Sequence, residues 1–131
     1  MKISLCNEVI REMTFAAQCD FAAALGYDGL EVAPFTLSDT PHVPGAIDAA
    51  ATRKAARDAG IEITSLHWLL VAPEGLSITD PDNALRARTV DVMRRLIDLC
   101  AELGGKALVH GSPVQRGLTP GDEEGAKARA L

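Results

Sequence analysis

The sequence predicts an α/β fold of four parallel strands alternating with four helices, the first four βα units of a (β/α)8 barrel and so a half barrel as given. Three observations predict it. Apolar runs of strand length alternate with stretches of helical period. The same glycine stop recurs as Leu25-Gly26, Ala59-Gly60 and Leu103-Gly104. Polar residues gather where strands end, the rim on which a (β/α)8 barrel places its chemistry. Strand–helix alternation with short returns requires parallel strands and right-handed crossovers. An open doubly wound sheet obeys the same rules, but no GxGxxG or Walker-type glycine loop follows the first strand.

Taken in order, a strand is expected over Lys2–Asn7, closed by Ser4, Cys6, Asn7 and Glu8, and a helix over Thr14–Leu25 that stops at Gly26. The second strand runs Asp28–Ala33 with Glu31 near its end, and the second helix Ile47–Ala59. The third strand, Ile61–Trp68, ends on His67. The third helix, Pro81–Leu103, has the clearest pattern: Leu85, Val92, Met93, Leu96, Cys100 and Leu103 form one stripe, while Arg86, Arg94, Arg95, Asp98 and Glu102 fill the other face. Asp80 is its expected N-cap, with Pro81 at the first helical position, where a missing N–H costs nothing. The fourth strand, Lys106–Gly111, leads to His110 and Ser112, and a helix opens at Asp122 and runs to Leu131. The stopping glycines stand 34 and 44 residues apart, from 26 to 60 and from 60 to 104. That is the length one helix, one strand and two loops require, the longer interval holding an insertion over residues 72–79.

The chain has 131 residues, 47% hydrophobic and 24% charged, with five aromatic side chains. With 18 acidic against 13 basic residues it carries a formal charge of −5, and no Lys or Arg run forms a phosphate-tracking stripe. Such a balance disfavours nucleic acid as a partner. No stretch reaches the ~18 apolar residues of a membrane span, and Met1 to Ile10 lacks the apolar core of a signal peptide, so a cytoplasmic location is expected. Cys6, Cys19 and Cys100 are far apart and contain no CxxC pair, which reads as reduced, buried thiols. A closed barrel needs ~250 residues. Residues 1–131 are therefore read as about half a barrel, either a truncated one or one that pairs with another half, because the first and fourth strands lack neighbours and call for self-association or a missing half.

Five residues at the strand ends are candidate substrate contacts: Cys6, Glu31, His67, Trp68 and His110. A neutral imidazole at His67 or His110 can bind a metal or move a proton; the alternative is a histidine hydrogen-bonded to nearby backbone. Glu31 is a carboxylate inside an apolar strand, costly unless paired or hydrogen-bonded, either structurally or in a site. Trp68 walls a pocket or sits in the core. His42, between Pro41 and Pro44, is expected to face solvent. Counting alternately from Ile61 places His67 on the face of Ile61 and Ile63, so bringing it into a barrel interior requires those isoleucines inside, or a bulge. Two histidines alone are short of the three protein ligands zinc normally takes. Signatures for a Ser/His/Asp triad, a nucleophile elbow or a phosphate loop are absent.

Leu25-Gly26-Tyr27-Asp28-Gly29-Leu30-Glu31-Val32, Ala59-Gly60-Ile61 through His67, and Leu103-Gly104-Gly105-Lys106 through His110-Gly111 together resemble the xylose-isomerase-like TIM-barrel superfamily of sugar phosphate isomerases and epimerases. The resemblance runs from Met1 to about Arg116 and covers the N-terminal half of that barrel. It implies an enzyme using a divalent metal (Mn, Mg, Co or Zn) to move a proton between adjacent carbons of a ketose or hydroxy-carbonyl compound, with a sugar or sugar phosphate as its small-molecule partner. It also implies that the metal ligands, with the two acid–base glutamates, come from strands five to eight. The catalytic residues are thus unknown within this chain, which supplies the N-terminal wall of the pocket and is expected to be inactive alone. The chain is also similar to a second branch, the endonuclease-IV-like zinc phosphodiesterases. That similarity implies His67 and His110 as zinc ligands, against which the acidic charge counts. A non-catalytic half barrel acting as a binding or assembly module is the third reading.

Overall fold

The computed structural model describes residues 1–130. Four βα units follow one another: β1 (Ser4–Cys6), α1 (Phe15–Ala24), β2 (Gly29–Val32), α2 (Ala49–Asp58), β3 (Glu62–His67), α3 (Asn83–Leu103), β4 (Ala107–Val109) and α4 (Glu123–Arg129). The strands form one parallel sheet in the order β1-β2-β3-β4. Short 3-10 turns occupy Asn7–Ile10, Pro34–Thr36 and Val114–Arg116, after the C-terminal ends of β1, β2 and β4. No described helix is long and apolar enough to cross a membrane.

Helix α2 packs between α1 and α3, and the core lies between this layer and the sheet. Leu30, Val32 and Leu66 of the strands and Leu96 of α3 are wholly buried there, each contributing about 1.5–3 kcal/mol of apolar burial. The α3 stripe packs as its spacing predicts, with Val92, Leu96, Cys100 and Leu103 buried. Gly26, Gly60 and Gly104 all take left-handed φ, at 83°, 79° and 84°, so the repeated stop is a repeated backbone requirement. Thr14, Asp48 and Asp82 cap α1, α2 and α3 by accepting from Ala17, Ala51 and Ala84 amides.

Asp80 is not the α3 cap. The helix begins two residues later, and Asp80 Oδ1 accepts from the Asp82 amide at 2.9 Å, in a turn that holds Pro81 outside the helix. Both aspartates satisfy the local rule for a cap, and proline fits a turn as well as a first helical position. The strands are shorter than their apolar runs: β1 and β4 have three residues each, leaving Trp68 and His110 just beyond strand ends. Cys19 and Cys100 are core thiols, whereas Cys6 is only half-buried; all three are free.

The parity of β3 is decided by a bulge. Leu30 pairs with Ile63, but Glu31 pairs with Ser65, so Thr64 is an extra residue in the ladder. Its hydroxyl donates to the Leu30 carbonyl at 3.2 Å and lies 2.9 Å from Ser4 Oγ, occupying groups the interrupted ladder leaves free. Ile61 and Ile63 therefore stay in the core while Ser65 and His67 change to the opposite face. Simple alternation from Ile61, which put His67 with the isoleucines, fails at Thr64.

Candidate active site

Paired residues of a parallel sheet point the same way, so the register row Cys6↔Glu31↔Ser65 sets three polar side chains side by side across β1, β2 and β3. His67 follows two residues after Ser65 on the same face. Glu31 lies at the centre of the row. Its Oε2 accepts from Cys6 Sγ at 3.1 Å and its Oε1 from Ser65 Oγ at 2.9 Å, which offsets the cost of a carboxylate inside an apolar strand. Burial pushes the Cys6 thiol up to about 12, reinforced by its hydrogen bond to Glu31 and by the charges of Glu31 and Glu8.

The turn after β1 carries Glu8 over the sheet end, where its Oε2 lies 2.6 Å from His67 Nε2. A carboxylate there accepts the Nε2 proton and leaves the lone pair of a neutral ring on Nδ1. That Nδ1 is buried, has no hydrogen-bond partner among the described residues and stands 3.8 Å from Glu31 Oε2; the His67 side chain is only 4% exposed. Cys6, Glu31 and His67 each present a donor atom, all within 4.8 Å of one another. The cluster can hold a proton, bind hydroxyl groups or approach a cation.

Trp68 takes φ 52°, a left-handed conformation of the kind that costs about 1–3 kcal/mol in a non-glycine residue. The residue is 44% exposed and its ring meets Phe35 at 6.4 Å between centroids, tilted by 46°, so Trp68 stands at the strand ends and is not a core tryptophan. His110 does not join the cluster. It is centred in a tight turn closed by the Gly111 amide donating to the Val109 carbonyl at 2.9 Å, and both its ring nitrogens are buried without a partner. Burial, then the charge of Arg116, holds His110 below the usual histidine value. His42 is half-buried rather than solvent-facing; its Nδ1 is enclosed beside a cavity of about 470 Å³ that Arg88 and Arg95 also line. A cavity of about 240 Å³ lies at the opposite, N-terminal ends of the strands, lined by Arg53, Arg57 and Lys106.

Sequence reasoning singled out Cys6, Glu31 and His67 but left Glu8 as one polar residue among several. It left Asn7 in the same list, although Asn7 is wholly buried: its Oδ1 accepts from the Ala33 amide at 2.7 Å while its Nδ2 donates to Thr36 Oγ1 and Gln18 Oε1. That network ties the turn carrying Glu8 to the turn after β2. Ser112, also buried, accepts from the Leu70 amide at 3.1 Å and fixes the loop that follows Trp68.

A family profile described as xylose isomerase-like TIM barrel matches residues 19–131. No curated protein sequence matches the chain. Among solved structures, D-psicose 3-epimerase in the presence of D-fructose is 21% identical with a TM-score of 0.74, over 99% of this chain and 45% of that one. Apo 3-keto-D-glucoside 4-epimerase YcjR from E. coli is 18% identical, TM-score 0.69, over 99% and 48%. The probable 3-DHS dehydratase AsbF from Bacillus anthracis is 18% identical, TM-score 0.56, over 82% and 37%. At such identities the likeness is one of fold, and the chain spans about half the length of these structures or less.

Proposed function

The chain belongs to the xylose isomerase-like TIM barrel family, and on that footing we propose that it is the N-terminal half of a sugar or sugar phosphate isomerase or epimerase, a barrel that moves a proton between adjacent carbons of a ketose or hydroxy-carbonyl substrate. The observation that carries the reading is the convergence of Glu8, Glu31 and His67 at the C-terminal ends of β1 to β3, beside the exposed Trp68. Sugars need this combination: carboxylates and an imidazole to bind hydroxyls, and an aromatic face for the apolar side of the ring.

In this reading Cys6, Glu31, His67, Trp68 and His110 contact substrate, and the acid and base that both must reach it come from strands five to eight. A divalent cation (Mn, Mg, Co or Zn) belongs to the complete site and would polarise the substrate carbonyl. On the resemblance, the ligands of that ion come from strands five to eight of the complete barrel, beyond the four strands of this half. The half barrel alone is inactive, the substrate is a small molecule and not nucleic acid, and a cytoplasmic location suits three free thiols. The phosphodiesterase reading requires His67 and His110 to share zinc, whereas the donors that meet His67 are Cys6 and Glu31.

Trp68 is the chain's one tryptophan, so its fluorescence reports the mouth directly. D-fructose and D-fructose 6-phosphate are expected to change it saturably, with affinity weakened about tenfold or more by Glu31→Gln, which removes a charged acceptor for a sugar hydroxyl, or by His67→Gln, which removes the imidazole. Absence of any ketose response in fluorescence and in ligand-observed NMR would overturn the proposal.

A further inference from the structure

We propose that Cys6, Glu31 and His67 form a zinc site of their own, with Glu8 orienting the histidine and the fourth coordination position left open. This position differs from strands five to eight, where the resemblance places the family's metal. The inference rests on four side chains and not on the sugar reading.

Geometry comes first. Around a tetrahedral zinc with bonds of ~2.0–2.3 Å, neighbouring ligand atoms stand roughly 3.4–3.6 Å apart. Cys6 Sγ and Glu31 Oε2 are 3.1 Å apart and His67 Nδ1 and Glu31 Oε2 3.8 Å, each within a few tenths of an ångström of that spacing, and all three donor atoms lie within 4.8 Å of one another. The second observation is independent of spacing. His67 is almost wholly buried, yet its Nδ1 has no hydrogen-bond partner among the described residues and stands 3.8 Å from Glu31 Oε2; His42 and His110 also bury unpartnered ring nitrogens, but among the described residues only His67 has a thiol and a carboxylate grouped with it. Its other nitrogen meets Glu8 Oε2 at 2.6 Å, and a carboxylate behind the ring is the usual companion of a ligating histidine because it fixes the tautomer that leaves the lone pair facing the metal. Ser65 does the same for Glu31, engaging Oε1 so that Oε2 is the oxygen presented to Cys6 and His67.

Charge and softness select the ion. A thiolate, a carboxylate and a neutral imidazole bring two negative charges to a divalent cation. Sulfur disfavours Mg and Ca and favours Zn, for which Co(II) is the spectroscopic substitute. Binding replaces one proton: the Cys6 S–H bond breaks, an S–Zn bond forms, and the proton that now bridges to Glu31 leaves to solvent, with no change in oxidation state. Three protein ligands with one open position is the arrangement of a zinc ion that also binds water or a substrate oxygen.

The test is titration of the purified chain with Co(II) alone, without substrate. The expected result is one equivalent bound, about one proton released, and a thiolate-to-cobalt charge-transfer band that Zn(II) bleaches. Cys6→Ser should abolish the band, and Glu8→Gln should weaken binding about 10- to 100-fold while the far-ultraviolet circular dichroism stays unchanged. A measurement needing no variant accompanies it: the wild type dialysed against metal-free buffer after Zn(II) loading should retain one Zn(II) per chain, read by native mass spectrometry. Lack of the charge-transfer band, its survival in Cys6→Ser, or loss of all Zn(II) from the wild type on dialysis would each overturn the site. Ketose binding measured without metal stands or falls separately.

Discussion

Glu8 Oε2 and His67 Nε2 lie 2.6 Å apart, joining residues 59 positions distant in the chain across the ends of β1 and β3. His67 is buried and Glu8 is three-quarters covered, so the contact is sheltered from water. Removing the carboxylate leaves a buried ring N–H without a partner, which costs about 1–3 kcal/mol. Glu8→Ala is therefore expected to lower the urea unfolding free energy by that amount in the wild type and by far less in a His67→Ala background. Equal losses in the two backgrounds would mean that the pair is not coupled.

The β3 bulge gives a second prediction. A Cβ on Gly29 would stand 2.5 Å from the Glu62 carbonyl oxygen and 2.7 Å from Thr64 Cγ2. The missing side chain of β2 is what admits the extra residue of β3. Gly29→Ala should destabilise the fold by about 1–3 kcal/mol, measured by urea unfolding. Thr64→Ser removes the methyl but not the backbone carbonyl, so the double variant should recover only a small part of that loss; full recovery would show that the methyl alone sets the packing.

How far the sequence reveals this protein follows the range of the interactions involved. The α3 stripe and the glycine stops are local, one a matter of period and the other of left-handed φ, and both read directly. The start of α3 did not, since Asp80 and Asp82 each satisfy the same local rule. The bulge depends on Gly29 in another strand, and the Asn7 network joins residues 11, 26 and 29 positions away, so neither leaves a periodic trace. Cys6, Glu31 and His67 were legible as polar residues ending apolar strands. Their convergence was not, because it requires the face change at Thr64.

His110 sets a pH dependence. Burial holds it below the ordinary value of 6.5, so the unfolded chain takes up a proton that the folded chain refuses. The stability this histidine allows is fully present above that ordinary value and declines as pH falls below it. Between about pH 7.5 and about pH 5.5 the wild type should lose more urea stability than His110→Gln, whose side chain does not titrate. Parallel losses in the two proteins would place the acid sensitivity elsewhere.

Association is the last expectation, and it follows from the sheet. In the order β1-β2-β3-β4 the outer strands each have one neighbour, so their other edges present unpaired amides and carbonyls, a template for pairing with further chain. The helix-side core holds Leu30, Ile63 and Leu66, on the sheet face opposite Glu31 and His67. Val109, paired in register with His67, is 48% exposed on the His67 face although it is a strand valine. Open edges beside exposed apolar surface favour a second half, whether another copy of this chain or a C-terminal partner. Size-exclusion chromatography with light scattering should therefore show mass rising with concentration above 13.8 kDa. Val109→Lys places a charge on that face beside an edge, and should shift the population towards monomer without lowering helix content. A compact monomer at every concentration, melting cooperatively, would mean that four βα units close their own surface and would remove the assembly reading.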